Sequence, residues 1–213
     1  MPTRAISKIT LVWGLIVAAA GTAAAQVNSS FSFDMIVSPG AATCLPDATA
    51  HVTILSRGAG TAEDMTVSAS GLPPSTDFDF FVIQVPNKPF GLAWYNGDVL
   101  TDRHGNALQH FRSRFQFGTF VIAPGVAPAP QTHTLPPFPD ALENPETIGP
   151  DGVTTGPVQL YHLGLWFDSA TDAQNAGCPN TVTPFNSEHN AGIQVLNTAN
   201  FSDTLGPLSQ FNP

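Results

Sequence analysis

The chain has 213 residues, of which 16 are acidic and 7 basic, a formal net charge of −9 and 42% hydrophobic residues. This length and apolar content are enough to bury one substantial core. The acidic balance excludes a nucleic-acid partner, because phosphate binding requires clustered positive charge, and it disfavours an anionic membrane surface for the same reason.

Residues 1–25 are predicted to be a secretory signal peptide. A basic start is followed by an apolar stretch at 9–20 that is too short to span a bilayer, and Ala23 and Ala25 form an A-x-A cleavage site. Cleavage would leave Gln26 as the first residue of a secreted chain, extracellular or periplasmic, with no transmembrane segment. An uncleaved N-terminal anchor is the alternative.

The two cysteines, Cys44 and Cys178, are expected to form a disulfide. An isolated pair in an exported protein most simply bonds to itself. The bond would close a loop of about 135 residues, which the chain-entropy relation values on the order of 4–5 kcal/mol. Two buried thiols are the alternative. A metal pair is disfavoured, because neither cysteine has another Cys or a His at ligand spacing.

The first half of the chain alternates between apolar and polar residues, which predicts antiparallel strands. The segment 26–32 is expected to be polar and frayed. Strands are predicted at 33–37, 49–55, Glu63–Ser70 and 78–85. Ala50, Val52 and Ile54 would share one face of the second strand, and Met65, Val67 and Ala69 would face inward from the third. The fourth is apolar on both faces, so it should be covered on both sides.

Residues 86–95 combine prolines with aromatic residues and are expected to form an irregular loop. Strands at 99–101 and 107–117 then flank residues 102–106, a predicted hairpin turn with Gly105 at positive φ. On the return strand, Phe111, Phe115 and Phe117 are predicted to face the core, and Arg112 and Arg114 to face solvent or acidic partners.

Residues 123–157 show no periodicity and are rich in proline. We expect a long surface excursion rather than a linker between domains, because the remaining chain is close to the lower limit for an independent core. A strand is predicted at 158–167, a short helix at 169–176 with Ser169 as N-cap, and a last strand at 193–196. The tail from residue 200 is expected to be loop.

These elements predict an all-β fold. We expect one antiparallel β-sandwich domain over residues 26–213, immunoglobulin-like or related, with about seven to nine strands.

Two loop regions carry candidate site residues. Asp102 and His104 in the predicted turn, with His189 from a later loop, could converge on a metal ion, since such ligands often come from separate strands. The alternative is that Asp102 and His104 satisfy backbone groups of the turn.

The second candidate region is the aromatic loop before that turn. Phe90, Trp94 and Tyr95 could stack on a sugar or an apolar ligand, with Asp98 as an acceptor. This site would lie beside the turn at 102–106. The alternative is that the three rings cap the core.

Several runs of the sequence resemble a group of uncharacterised exported bacterial β-sandwich proteins. They are Leu72-Pro73-Pro74, VIQVPN at 82–87, WYNGD at 94–98, the turn at 101–105, YHLGLWF at 161–167 and HNAGIQ at 189–194. No activity is established for that group, so the resemblance implies no catalytic residue. The bend at Gly71 followed by a Thr-Asp-x-x-Gly turn is also similar, more loosely, to repeating β-sandwich modules of cell-surface proteins.

The sequence therefore predicts an exported structural or ligand-binding domain without catalytic activity or a cofactor. Candidate partners are a glycan, a small apolar ligand or a cell-surface protein. The alternative is an extracellular hydrolase or metal-dependent enzyme whose site combines Asp98, Asp102, His104 and His189.

Overall fold

The computed structural model describes residues 29–58, 62–124, 147–148, 154–184 and 190–213. The predicted signal peptide lies outside these ranges. The strands, in chain order, are β1 (Ser29–Val37), β2 (Thr49–Ser56), β3 (Glu63–Ser70), β4 (Asp77–Ile83), β5 (Ala93–Leu100), β6 (Ala107–Ser113), β7 (Phe120–Pro124), β8 (Thr147–Ile148), β9 (Thr154–Gln159), β10 (His162–Phe167), β11 (Thr183–Pro184), β12 (Asn190–Ala191) and β13 (Gln194–Asn197). A short helix, α1 (Ala170–Asn175), follows β10, and a 3-10 turn covers Pro207–Gln210.

Eight strands form one antiparallel sheet in the order β5-β4-β10-β13-β1-β2-β3-β6. Strand β1 joins its two halves, because residues 29–35 pair with β2 whereas Ile36 and Val37 pair with β13. The edge strands β5 and β6 follow each other in the chain and lie near one another, so the sheet is nearly closed. The prediction of an all-β antiparallel fold is confirmed at this level.

The alternating pattern determines which face of each strand is buried. The residues predicted to share one face of β2 and those predicted to face inward from β3 are all buried: Ala50, Val52, Ile54, Met65, Val67 and Ala69. In β4 every residue from Phe78 to Ile83 is buried, as expected for a strand covered on both faces. Phe80 faces the main core, where its ring stacks on Phe111 of β6 with centroids 5.0 Å apart.

The opposite face of β4 contributes to a second apolar cluster, which we call the outer cluster. Its buried members are Phe81, Ile83, Trp166 and Ala191, and Phe90 packs against them. The rings of Phe81 and Phe90 both meet Trp166 edge to face, at centroid distances of 5.5 and 5.1 Å. The outer cluster therefore holds the loop that carries Phe90 against the outside of the sheet.

The disulfide between Cys44 and Cys178 is present, with Cα atoms 5.2 Å apart, as predicted. It ties the β1–β2 connection to the segment after α1. The Ser169 hydroxyl accepts a hydrogen bond from the Asp172 amide at 3.1 Å, so the predicted N-cap is also confirmed. No helix within the described ranges is long and apolar enough to cross a membrane.

The predicted hairpin between β5 and β6 is wrong. The turn has the expected chemistry, with Gly105 at φ 75°, but β5 pairs with β4 and β6 pairs with β3. The turn at 102–106 therefore connects β5 and β6, which are the two edge strands of the eight-stranded sheet. In addition, β5 begins at Ala93, so the last three residues of the predicted aromatic loop, 93–95, are strand.

Other boundaries also differ from the prediction. Residues 29–32, expected to be frayed, pair with β2. The predicted strand at 158–167 is divided between β9 and β10. Strand β9 forms a three-stranded sheet with β7 and β8, of which β8 lies wholly within the proline-rich region. Phe115 is fully buried, but Phe117 is only half-buried. The tail packs into the main core through Leu208 and Phe211.

Candidate functional site

The structure separates the aromatic residues that the sequence grouped. Trp94 is half-buried and packs against the main core, whereas Tyr95 is 46% exposed on the outer face of β5. Neighbouring strand residues point to opposite faces, so the two rings cannot form one stacking surface. Phe90 lies in the loop before β5 and packs against the outer cluster. Only Tyr95 presents a ring broadly to solvent from β5.

A bulge places Tyr95 and Asp98 on the same face. The register shifts so that Tyr95 lies opposite Phe81 and Asp98 opposite Asp79. Without the extra residue, positions three apart would face opposite sides of the sheet. The Tyr95 hydroxyl donates a hydrogen bond to Asp98 Oδ1. Asp98 was predicted to be a ligand acceptor, and in this structure its carboxylate binds the tyrosine.

Acidic side chains surround this tyrosine and affect its titration. Burial, the hydrogen bond to Asp98 and the nearby charges of Asp98, Asp79 and Asp77 raise the pKa of Tyr95. Burial and the charges of neighbouring carboxylates, Asp98 first, raise the pKa of Asp77 as well. This face of β4 and β5 therefore has a negative potential that disfavours anionic ligands.

The predicted metal ligands are engaged locally. Asp102 Oδ1 accepts hydrogen bonds from the amides of His104 and Asn106 at 2.7 and 2.9 Å. These bonds lower the pKa of Asp102. Nε2 of His104 lies 2.9 Å from Nε of Arg103, which donates to it. His189 lies outside the described residues. In the described ranges, no group of three or more His, Cys, Asp or Glu side chains could hold a metal ion.

The two candidate regions also lie at opposite ends of β5. The loop that carries Phe90 precedes Ala93, and the turn that carries Asp102 follows Leu100. The expectation that they adjoin came from the predicted hairpin. The structure does not bring Phe90 together with Asp102 and His104.

A different grouping forms around Phe90. A cavity of about 510 Å³ lies between four segments, at residues 38–40, 87–90, 179–183 and 193–194. Its lining includes Phe90, Ile193 and two prolines, together with polar side chains from Asn87, Lys88 and Thr183. Among the described residues that line it, none is acidic. Its volume falls within the usual range for small-molecule sites.

The walls of this cavity are held by buried hydrogen bonds. The carbonyl of Pro86 accepts hydrogen bonds from two side-chain amides, Gln194 Nε2 at 3.1 Å and Asn197 Nδ2 at 3.2 Å. Asn197 Nδ2 also donates to Gln194 Oε1 at 2.9 Å. On the facing wall, the Ser38 amide donates to the carbonyl of Val195 at 2.8 Å. Both loops are thereby fixed to β13.

The loop between β4 and β5 is closed by its own hydrogen bonds. The amide of Val85 donates to the carbonyl of Phe90 at 3.1 Å, and Gln84 Oε1 accepts from the amide of Leu92 at 2.9 Å. With the contact between Phe90 and Trp166, these bonds fix the position of the Phe90 ring at the cavity wall.

One polar group on a lining residue of the cavity has no partner among the described residues. Thr183 is only 4% exposed, and its hydroxyl has no hydrogen-bond partner among the described residues. A buried hydroxyl without a partner is costly, so its presence at a cavity wall calls for an explanation. Nothing in the sequence indicated Thr183 and Gln194 as lining residues, because their segments adjoin Phe90 only through the tertiary fold. The one available signal was Lys88, the only lysine beyond the predicted signal peptide.

Comparisons with known proteins found no match for this chain. No protein-family model, no curated protein and no solved structure matches it. The resemblance to exported bacterial proteins therefore stays a prediction.

Proposed function

We propose that this protein is an exported ligand-binding domain that holds a small molecule in the cavity beside Phe90. Export is supported by the signal-like residues 1–25 and by the disulfide, which is typical of oxidising compartments. We further propose that the nearly closed sheet is a β-sandwich, immunoglobulin-like or related. The passage of β1 from one half of the sheet to the other supports this interpretation.

The observation that carries the binding proposal is the unpartnered hydroxyl of Thr183. A ligand that reaches this buried hydroxyl from the cavity would give it the partner that the described protein does not provide. The ring of Phe90 and the side chain of Ile193 would cover the apolar part of the same ligand. Such a combination of apolar walls and few polar groups is typical of ligand sites.

The first test uses Thr183→Val, which keeps the shape of the side chain and removes the hydroxyl. We expect the unfolding free energy of the unliganded protein to rise by about 1 kcal/mol, because an unsatisfied polar group is removed. A stabilising substitution in a binding site is expected where function has a stability cost. A clear loss of stability would mean that the hydroxyl has a structural partner, and the proposal would lose its basis.

The second test measures binding directly. Three probes share a naphthalene ring and differ in charge: 1-naphthylacetate, 1-naphthylacetamide and 2-(1-naphthyl)ethylamine. We expect at least one of them to shift the amide NMR signals of residues 87–90 and 179–183. Gly40→Leu should abolish these shifts, because a Cβ at Gly40 would lie 4.0 Å from both Ile193 Cδ1 and Ser38 Oγ and would point a larger side chain among the lining residues.

Ser30→Leu is the matched control, since it adds the same side chain at an exposed position near the other end of β1. It should leave probe binding unchanged. Absence of binding by all three probes to the unsubstituted protein would contradict the proposed function.

A further inference from the structure

We propose that the cavity beside Phe90 selects a small carboxylate with a compact apolar body, such as an aromatic or cyclic acid. This inference depends on the proposed function, namely that the cavity holds a ligand at all. It adds the chemical class of the ligand, and the observations that support it are the charge, the free donors and the apolar walls of the cavity.

The charge of the lining is opposite to that of the protein. The chain has a formal net charge of −9, yet the charged residue among the described residues that line the cavity is the exposed Lys88. Lys88 makes no ion pair within the described part of the chain. An anionic ligand would be repelled by the protein as a whole and attracted at this position, which favours a single, localised negative charge.

The unused hydrogen-bonding groups point to an acceptor. Asn87 accepts a long hydrogen bond from Asn197 through Oδ1, at 3.5 Å, and its amide N–H groups have no acceptor among the described residues. Thr183 is also a lining residue, and its buried hydroxyl, which has no partner among the described residues, can donate to a ligand that reaches it. With the three N–H groups of Lys88, the lining residues carry donors on three side chains. An ionised carboxylate accepts only and has two oxygens, so it can use several of these donors together.

The remaining lining selects an apolar body. Phe90 and Ile193 contribute side-chain carbons, and Pro39 and Pro179 line the cavity without a backbone N–H to satisfy. Because Phe90 already meets Trp166 edge to face, its ring is held in one orientation. A planar ring packed against such a surface gains contact without ordering the protein first. The volume of about 510 Å³ accommodates a molecule of one or two rings.

The test compares the three naphthyl probes at low ionic strength. We expect 1-naphthylacetate to bind about tenfold more tightly than 1-naphthylacetamide, in line with the greater strength of hydrogen bonds to charged groups. The amine should bind more weakly than the amide, because its ammonium would lie beside Lys88. Titrations by NMR or calorimetry give the ratio of the dissociation constants.

Lys88→Met tests the origin of that preference. It should weaken binding of the acid about tenfold and change binding of the amide by less than about twofold, since the amide carries no charge for Lys88 to attract. Arg103→Met is the matched control. It removes the same formal charge from the turn at the opposite end of β5 and should leave both affinities unchanged.

The outcomes separate this inference from the proposed function. Equal binding of acid and amide, abolished by Gly40→Leu, would retain the ligand site and overturn the carboxylate assignment. A preference for the acid that survives Lys88→Met would also overturn the assignment as argued. If none of the probes binds, both proposals fail.

Discussion

Gly97 lies directly against the ring of Phe111. A Cβ built at Gly97 would be 3.0 Å from Phe111 Cε1, and the φ of Gly97 is +139°. The two residues belong to β5 and β6, the strands at opposite ends of the sheet order. Phe111 in turn stacks on Phe80. The absence of a side chain at Gly97 therefore allows the ring of Phe111 to approach β5 closely where the sheet is nearly closed.

Gly97→Ala should destabilise the protein by about 2–3 kcal/mol. One part of the cost comes from a backbone conformation that other residues rarely adopt, and another from overpacking against Phe111. Urea unfolding measures the change. Gly177→Ala is the control, because Gly177 has φ +77° but no atom within 4 Å of its added Cβ, so it reports backbone strain alone. Equal losses in the two variants would show that the contact with Phe111 does not matter.

Phe115→Ala should cost about 3–5 kcal/mol of unfolding free energy, as for other fully buried aromatic residues. Phe115 is fully buried although it lies two residues beyond the end of β6. The half-buried Phe117 provides the comparison, and Phe117→Ala should cost clearly less. A loss below about 1 kcal/mol for Phe115→Ala would be inconsistent with its burial in the core.

The strands that the sequence predicted well are those with an uninterrupted period of two. β2 and β3 alternate along their whole length, and their buried sets follow directly from that pattern. Only the end of β5 was predicted, because the bulge at Asn96 and Gly97 interrupts the alternation. The pairing of β5 with β4 could not be predicted from the turn at 102–106, because the local chemistry of a turn does not determine which strands become neighbours.

Less of the candidate site could be predicted from the sequence. Phe90 was a candidate because it is an aromatic residue in a proline-rich loop. Its neighbours in the cavity come from segments about 50 and 90 or more residues away in the chain. Thr183 is one of many threonines, and nothing in the sequence distinguishes it. Its significance arises only from burial without a partner, which is a property of the tertiary structure.

Removal of the disulfide should lower the unfolding free energy by on the order of 4–5 kcal/mol. Cys44 and Cys178 are 134 residues apart, and the cross-link restricts the unfolded chain in proportion to the logarithm of that length. Chemical unfolding of the double substitution Cys44→Ser and Cys178→Ser, compared with the oxidised protein, measures the loss. Two alkylatable thiols in the unsubstituted protein would contradict the bond itself.

Acidification should destabilise the protein through His162. This side chain is buried, its Nδ1 lies 2.9 Å from Thr198 Oγ1, and Nε2 lies 3.1 Å from the carbonyl of Ser202. Burial lowers the pKa of His162 from its ordinary 6.5, more than the hydrogen bonds raise it. The unfolded chain therefore takes up the proton first as the pH falls. The contribution of His162 is complete above pH 6.5 and is lost as the pH falls towards the folded pKa.

The slope of that loss is at most roughly 1.4 kcal/mol per pH unit for one proton. His162→Gln should remove it, so the difference in unfolding free energy between the two proteins should change with pH below 6.5 and be constant above it. Buried carboxylates such as Glu63, whose pKa is raised by burial, act in the opposite direction and cancel in this difference. Parallel stability curves for the two proteins across that range would rule out the effect.

The hydroxyl of Tyr95 donates a hydrogen bond to Asp98 on the outer face of β5. Burial and this hydrogen bond raise the pKa of Tyr95, because both favour the neutral phenol, and the charges of Asp98, Asp79 and Asp77 add to the effect. Asp98→Asn should therefore lower the pKa of Tyr95, as measured by the ultraviolet absorbance of the phenolate. Asp34→Asn, which removes an exposed charge from β1, should leave that titration unchanged. An unchanged titration in Asp98→Asn would mean that the hydroxyl is free to bind a ligand, whereas the expected shift would leave only the ring of Tyr95 available for stacking.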